Sequence, residues 1–365
     1  EIVSRDWSSD VCSSDLPLLK SILKMKKSLM TLGVLALFVL MAYGQEKKFA
    51  LYSVAFYNME NLFDTIHDEG KNDYEYLPNG TNQWNTMKYK AKLKNMSEIL
   101  SMLSTDKLPM GPAIIGVSEI ENYRVLEDIL KQPALADRGY QYVHYEGADQ
   151  RGVDCAFFYN PKLFELTNSK LVPYVYINDT VHKTRGFLIA SGNIAGEKMH
   201  FIVNHWPSRA AASPARERAG EQVRAIKDSL LREDSAAKIV IMGDMNDDPM
   251  DKSMAVALGA KRKPADVGPT DLYNPWWDTL KKGYGTLMYK GKWNLFDQIV
   301  FTGNLLGTDR STLKFYKHEI FRRDFMFQKE GKYKGYPKRT QAGGVWLNGY
   351  SDHLPTIIYL IKEVK

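Results

Sequence analysis

The stretch Ile239-Val240-Ile241-Met242-Gly243-Asp244-Met245-Asn246-Asp247-Asp248-Pro249 decides how this chain is read. Four consecutive apolar residues, β-branched or long and aliphatic, predict a buried strand, and Gly243 is expected to end it where the backbone turns. Asp244 and Asn246 lie two apart. An extended backbone through Met245 would send both polar side chains to one side and Met245 into the core. A carboxylate beside a carboxamide at a strand end suits holding a water and a phosphoryl oxygen. Asp247-Asp248-Pro249 by itself suits an Asx-type turn equally well, so the rest of the chain must decide.

Working outward, the same arrangement recurs, a buried strand emptying into acid, amide or imidazole. Residues 49–57 run into Asn58-Met59-Glu60-Asn61, and residues 113–117 deliver Ser118 and Glu119. Gln150-Arg151-Gly152-Val153-Asp154 turns into the buried run 155–159, and residues 198–203 empty into Asn204-His205-Trp206-Pro207-Ser208. A strand over 295–301 carries Asp297, and Ser351-Asp352-His353-Leu354-Pro355 precedes a terminal strand over 356–361. Further strands are predicted over 140–145, 171–177 and 186–194. Helical spacing of Tyr89, Leu93, Met96, Ile99, Leu100 and Leu103 predicts a helix over 84–103, with others over 122–130, from Ser213 to about residue 232, and near 254–258. Residues 314–338 are basic and aromatic without a clear period.

The totals bound the class. Apolar residues make up 44% and charged residues 25%, which excludes a disordered or fibrous chain. A net charge of +6 permits a polyanionic partner without demanding one. Two cysteines, Cys12 and Cys155, argue against a disulfide framework or a cysteine metal site. Met25-Lys26-Lys27, the apolar run 29–41 and Ala42-Tyr43-Gly44-Gln45 have the three parts of a secretory signal, with cleavage expected after Gly44. The run is short for a membrane span, and a retained N-terminal anchor is the alternative. Residues 6–16 resemble a translated sequencing adapter and 17–24 translated upstream sequence, so 1–24 are expected to have no fold. Residues 45–365 are then read as one domain of a secreted or periplasmic monomer without a stable membrane partner.

The polar residues at the strand ends form a set without cysteine: Asn58, Glu60, Glu119, Asp154, His205, Asp244, Asn246, Asp297, Asp352 and His353. Hard oxygen donors with histidine suit Mg²⁺, Mn²⁺ or Ca²⁺ better than zinc. Gly243-Asp244-Met245-Asn246 and Ser351-Asp352-His353-Leu354-Pro355, with Glu119 upstream and Asn204-His205 between, resemble the DNase I-like endonuclease/exonuclease/phosphatase superfamily. The resemblance covers nearly all of the chain after residue 45. It implies an α/β (α+β) four-layer sandwich, two packed mixed β-sheets flanked by helices, with the site at one end. It also implies Glu119 as principal ligand of Mg²⁺ (Mn²⁺ or Ca²⁺ as alternatives), with Asn58 and Asp352 completing the inner or water-mediated shell. Asn246 would hold the phosphate and Asp244 orient or activate the attacking water. His353 would pair with Asp297 and His205 with Asp154; His205 is then expected to protonate the leaving oxygen, with Asp244 and His353 on the water side. The family leaves the identity of the base open. Arg151 is read as a phosphate contact or a structural salt bridge. Glu60, Asn61, Asn204 and Ser208 are read as supporting residues or loop hydrogen bonders, with Asn204 also a candidate for substrate binding.

Nucleic acid, DNA or RNA, is the first substrate this reading suggests, with Arg209, Arg216, Arg218 and the 314–339 segment as candidate backbone contacts. A phosphatase or a sphingomyelinase-like lipid phosphodiesterase on the same fold is the alternative. Asp247-Asp248 and Asp297-Gln298 stand where inositol-polyphosphate phosphatases carry an aromatic with arginine and an Asp-Arg pair, which counts against that branch. A sphingomyelinase would need Pro275-Trp276-Trp277 exposed at a membrane, whereas these tryptophans are expected to pack under a loop. A non-catalytic nucleic-acid-binding protein on this scaffold is the reading from a different class.

Overall fold

The structure is a computed structural model and describes residues 20–31, 47–177 and 181–364. Most of the signal-like run 29–41, and residues 1–19, lie outside the described residues. Residues 20–31 are helical and exposed, and among the described residues no helix is long and apolar enough to cross a membrane.

In chain order the body of residues 49–363 begins in β1 (Lys48–Leu62), followed by α1 (Thr86–Met102), β2 (Ile114–Ile120), α2 (Tyr123–Leu130), β3 (Gln141–His144), β4 (Asp154–Tyr159), β5 (Glu165–Val172), β6 (Phe187–Ile194) and β7 (Glu197–His205). Then come α3 (Ser213–Glu233), β8 (Lys238–Asp244), β9 (Ala260–Lys261), β10 (Leu272–Tyr273) and α4 (Trp277–Lys281). The last strands are β11 (Leu287–Tyr289), β12 (Lys292–Asn294), β13 (Asp297–Thr302), β14 (Lys314–Ile320), β15 (Gln341–Ala342), β16 (Val345–Trp346) and β17 (Thr356–Val364). One sheet has the order β14-β17-β1-β2-β4-β3, the other β5-β6-β7-β8-β13-β10-β9, and β11-β12 and β15-β16 are small hairpins.

Period-two alternation builds the layers. In β1, Val54 and Phe56 enter a core shared with Leu188, Phe201, Val203, Val240 and Met242 of the second sheet. Ala55 and Tyr57, on the opposite face, join Leu93, Met96 and Ile129 of α1 and α2. In β8, Val240 and Met242 face the first sheet while Ile239 and Ile241 meet Ala219, Val223 and Leu230 of α3. Strands covered on both faces read as unbroken apolar runs, and the result is two mixed sheets packed between helices.

Four expectations are revised. Gly243 does not end its strand: it pairs with Asn204 of β7 and Gln298 of β13 inside the sheet. Glycine is needed there because an added Cβ would stand 2.3 Å from the Asn204 carbonyl oxygen. Gly243→Ala is therefore expected to cost about 1–3 kcal/mol, read as a lower urea midpoint; an unchanged midpoint would contradict this account. The strand expected over 171–177 is instead β5, since Pro173 has no N–H to donate and stops the ladder. β1 continues past Asn58 to Leu62. Within the aperiodic 314–338 segment, β14 is an edge strand whose side chains are half-buried on both faces, which erases the alternation.

Candidate functional site

Strand direction assembles the site. β7 and β8 are parallel, so both end at the same edge, with His205 opposite Asp244. Antiparallel β13 begins at that edge with Asp297 opposite Asp244. In the other sheet parallel β1 and β2 set Asn58 beside Ser118, and the register then slips before Leu62 pairs with Ile120. Glu60, Asn61 and Glu119 occupy this slip with φ of 46°, 52° and 58°, and Asn246 has φ of 52°. Non-glycine residues in the left-handed region are strained and persist where their surroundings hold them.

Asp244 is the hub. Its Oδ2 accepts from Asn58 Nδ2 at 3.0 Å and lies 3.7 Å from His205 Nε2 and 3.8 Å from His353 Nε2. Oδ1 accepts the Asn246 backbone N–H at 2.9 Å. Met245 is buried between them as expected, but the backbone is not extended as far as Asn246, with its φ of 52°, and this Asx-type bond is made by Asp244, ahead of the Asp247-Asp248-Pro249 stretch that suggested a turn. Burial, reinforced by Asp297 and opposed by His353, pushes the Asp244 carboxyl up to about 7.

The surroundings of the two histidines shift them in opposite directions. His353 Nδ1 donates to Asp297 Oδ2 at 2.7 Å. Burial disfavours its cation, yet Asp297 and Asp244 outweigh that and hold the imidazole well above its ordinary pKa. His205 is pushed well below its ordinary value by burial and then by Arg185, Arg151 and His353. Its Nδ1 is buried without a partner among the described residues. The carboxylate expected there, Asp154, bonds instead to His144 Nε2 at 3.2 Å and to the Gly147 N–H at 3.0 Å. Two acids, Asp244 and Glu119, lie 3.7 Å from His205 Nε2 but none bonds its Nδ1, so burial prevails at His205 while the bond to Asp297 favours the cation at His353.

Other residues fall into place as follows. Asn58 Oδ1 accepts the Glu60 backbone N–H at 2.8 Å, which fixes the amide orientation and turns Nδ2 toward Glu119 Oε1, at 3.1 Å, and Asp244. In this arrangement Asn58 positions the two acids and does not offer its oxygen to an ion. Asn204 is fully buried; its Nδ2 donates to the Ile202 and Met242 carbonyls and its Oδ1 accepts from Trp206 Nε1, so its bonds serve the fold and not a substrate. Asn246 Nδ2 donates to the Trp206 carbonyl at 3.1 Å and keeps a second hydrogen for another acceptor. Arg151 is half-exposed, 3.9 Å from Asp149, while the buried Arg185 makes the close 2.9 Å pair with that acid.

A buried charge that sequence reasoning missed, Lys92, lies behind Asp352 with Glu60 and Arg339. Asp352 Oδ2 pairs with Arg339 Nη2 at 3.1 Å, and Arg339 Nε donates to Glu60 Oε1 at 2.7 Å. Burial, then Asp352, raises Glu60 to about 7, against the pull of Lys92 and Arg339. Lys92, entirely buried on α1, is lowered by burial to about 8 and donates to Thr340 Oγ1 and the Tyr350 carbonyl. A lysine on the apolar face of an otherwise amphipathic helix was the one available signal.

These donors fit a hard divalent cation. One donor atom each from Glu119, His205 and Asp244 lies within 4.8 Å of the others, and the same holds for Asp244, Asp297 and His353. Glu119 and Asp244 converge on the Asn58 amide and on His205 Nε2, which lies 3.7 Å from each, so two carboxylates meet at one point. Asp297 Oδ1 is buried without a partner among the described residues.

Two face-packed mixed sheets with an acid–histidine cluster at their strand ends define a class of hydrolase scaffold, and sequence comparison names it. A model described as the endonuclease/exonuclease/phosphatase family matches residues 53–362, and the chain belongs to that family, whose members hydrolyse phosphoric esters. Solved structures share the DNase I-like fold. A family protein from Bacteroides thetaiotaomicron is 15% identical, covering 87% of this chain and 98% of its own, with a TM-score of 0.54. A mannosyl-6-phosphatase from the same organism is 14% identical, covering 85% and 99%, at 0.52. ANGEL2, described as a 2′,3′-cyclic phosphatase, is 12% identical, covering 88% and 100%, at 0.53. Comparison with curated proteins gives no match.

Proposed function

We propose that this chain is a divalent-cation-dependent phosphodiesterase acting on nucleic acid. The observation that carries the chemistry is Asp244 set 3.7 Å from His205 Nε2 and 3.8 Å from His353 Nε2, beside Glu119, with His205 pushed toward its neutral form and His353 toward its cation. A cation held by Glu119, Mg²⁺ in the first instance, would act as a Lewis acid on a phosphoryl oxygen. Asp244, with its carboxyl near 7, is tuned to accept a proton from the attacking water. His353, locked by Asp297, offers Nε2–H to the phosphoryl group or the leaving oxygen. Asn246 offers its remaining amide hydrogen to the phosphate, and Asn58 keeps Glu119 and Asp244 aligned.

Support for a nucleic-acid substrate comes from the segment following β14. Arg323, Lys329, Lys332 and Lys334 are exposed there, interleaved with the exposed rings of Phe325 and Tyr333. Cations with stacking surfaces suit single strands. The arginines expected to contribute elsewhere do less: Arg209 and Arg216 are paired with Asp247 and Arg218 with Glu221. A small phosphoester is the second reading, favoured by the names of the phosphatases sharing the fold and by a cavity beside Arg339. A sphingomyelinase-like reading loses its membrane hairpin, because Pro275 and Trp276 are buried and Trp276 Nε1 donates to the Ile299 carbonyl. The signal-like segment 25–44 supports export to the periplasm or medium.

The test is hydrolysis of plasmid DNA, RNA, bis-p-nitrophenyl phosphate and p-nitrophenyl phosphate with Mg²⁺, Mn²⁺ or Ca²⁺. We expect cleavage of the diesters with at least one of these ions and none in EDTA. Cleavage of the monoester with both nucleic acids intact would replace the nuclease by a phosphatase, and equal rates in EDTA would overturn the cation requirement.

A further inference from the structure

Beside the acid–histidine cluster lies a cavity of about 390 Å³ whose walls include Asn61, Glu75, Asn82, Tyr333, Arg339 and Gln341. We propose that it receives the sugar ring that carries the scissile phosphate, an inference that rests on the phosphoester hydrolase reading above.

Position comes first. The Asn61 backbone N–H donates to Glu119 Oε2 at 3.0 Å while its side chain lines the cavity. Arg339 likewise touches Asp352 of the site and forms part of the cavity wall. A group bonded to a phosphate held at the cluster would therefore enter this space.

The chemistry of the walls selects what enters. Asn61, which lines the cavity, has a buried side-chain oxygen without a partner among the described residues, and satisfying it favours a ligand that carries donors. Glu75 and Asn82 meet each other only at 3.5 Å, leaving carboxylate and amide groups to bind hydroxyls. The ring of Tyr333, half exposed at 50%, offers an apolar face. The walls do not favour a second phosphate: Arg339, the cation among them, already pairs with Glu60 and Asp352, and Glu75 adds a carboxylate. A neutral polyhydroxylated ring satisfies these walls, whereas a further anion is repelled. The volume suits one ring with its substituents and not a duplex.

The far wall is held in place. β15 and β16 are joined by Gly343 and Gly344 with φ of 56° and 77°, the left-handed pair that closes a tight hairpin. Trp346 of β16 packs edge-on against Trp84 with ring centroids 5.8 Å apart.

A sugar phosphate reaches such a site free or as the terminal nucleotide of a strand, and the experiment separates the two. Wild type, Gln341→Ala and Glu75→Gln are compared on bis-p-nitrophenyl phosphate, glucose 6-phosphate, AMP and a 5′-phosphorylated oligonucleotide. In parallel, binding of glucose 6-phosphate and AMP to the EDTA-treated proteins is measured by calorimetry. We expect kcat/KM for a ring-bearing substrate, relative to the aryl ester, to fall at least tenfold in both variants, mainly through KM, with binding weakened to match. Loss confined to glucose 6-phosphate assigns the cavity to free sugar phosphates, and loss confined to AMP and the oligonucleotide assigns it to terminal nucleotides. Ratios and affinities within twofold of wild type in both variants overturn the proposal. Failure of the wild type to cleave the aryl ester with any divalent ion sinks the hydrolase reading instead, and the calorimetry still decides the cavity.

Discussion

Asp244→Asn is expected to lower kcat on bis-p-nitrophenyl phosphate by roughly 10²–10⁴-fold, the contribution typical of a positioned general base. The substitution keeps volume and removes the acceptor of the water's proton. It also leaves a hydrogen-bond conflict. Asp244 accepts on both oxygens, from the Asn246 N–H and from Asn58 Nδ2, so either orientation of the new amide sets donor against donor. Retention of activity within tenfold, in a variant with unchanged circular dichroism, would remove Asp244 from the proton path. The same variant bears on stability in the cation-free protein. The carboxyl is released near 3.8 when unfolded and near 7 when folded, so between those values the native state binds more protons. Stability contributed by this group therefore falls as pH rises through that window, and in Asp244→Asn the fall should flatten. Urea midpoints at pH 5 and pH 8 in EDTA measure the difference, and equal slopes in both proteins would contradict the raised pKa.

Trp84→Ala is expected to destabilise the protein by about 3–5 kcal/mol, the range for deleting a large buried aromatic. Trp84 is entirely buried just before α1. Its Nε1 donates to the Phe63 carbonyl at 2.9 Å, and its ring meets Tyr76 and Trp346 edge-on. One side chain thus joins the turn after β1, the start of α1 and the β15–β16 hairpin. Chemical denaturation gives the loss directly, and a change under about 1 kcal/mol would mean that the site collapses around the gap. Trp84→Phe separates the contributions, since it restores most of the packing and leaves the Phe63 carbonyl unpaired.

The two-sheet architecture was legible because its inner strands are covered on both faces. Residues 239–242 and 113–117 are unbroken apolar runs for that reason, and the helices on the outer faces show the 3.6-residue spacing of one buried side. Edge elements were less legible. β5 and β14 carry polar residues on faces that packing would otherwise define, so strand boundaries there follow Pro173 and neighbouring strands more than any local pattern.

At the site, the convergence of Asn58, Glu119, His205, Asp244, Asp297 and His353 was readable, because His205 and Asp244 end strands, Asp297 begins one, and the others lie within a few residues of a strand end, where strands of a sheet meet at its edge. Partner choice was not readable from residue type. Asp154 opens β4, yet β3 pairs with β4 and brings His144 to it, a contact that depends on strand order across the sheet. The same holds for Arg339, joined to Glu60 across 279 residues of chain. Residue identity and local period thus determined which chemical groups this protein brings to one edge. Only the tertiary structure decided that Asp154 holds His144 and leaves His205 Nδ1 without an acid among the described residues, while His353 pairs with Asp297 as the resemblance implied, because burial and ion pairing act through distances of a few ångströms that sequence separation does not encode.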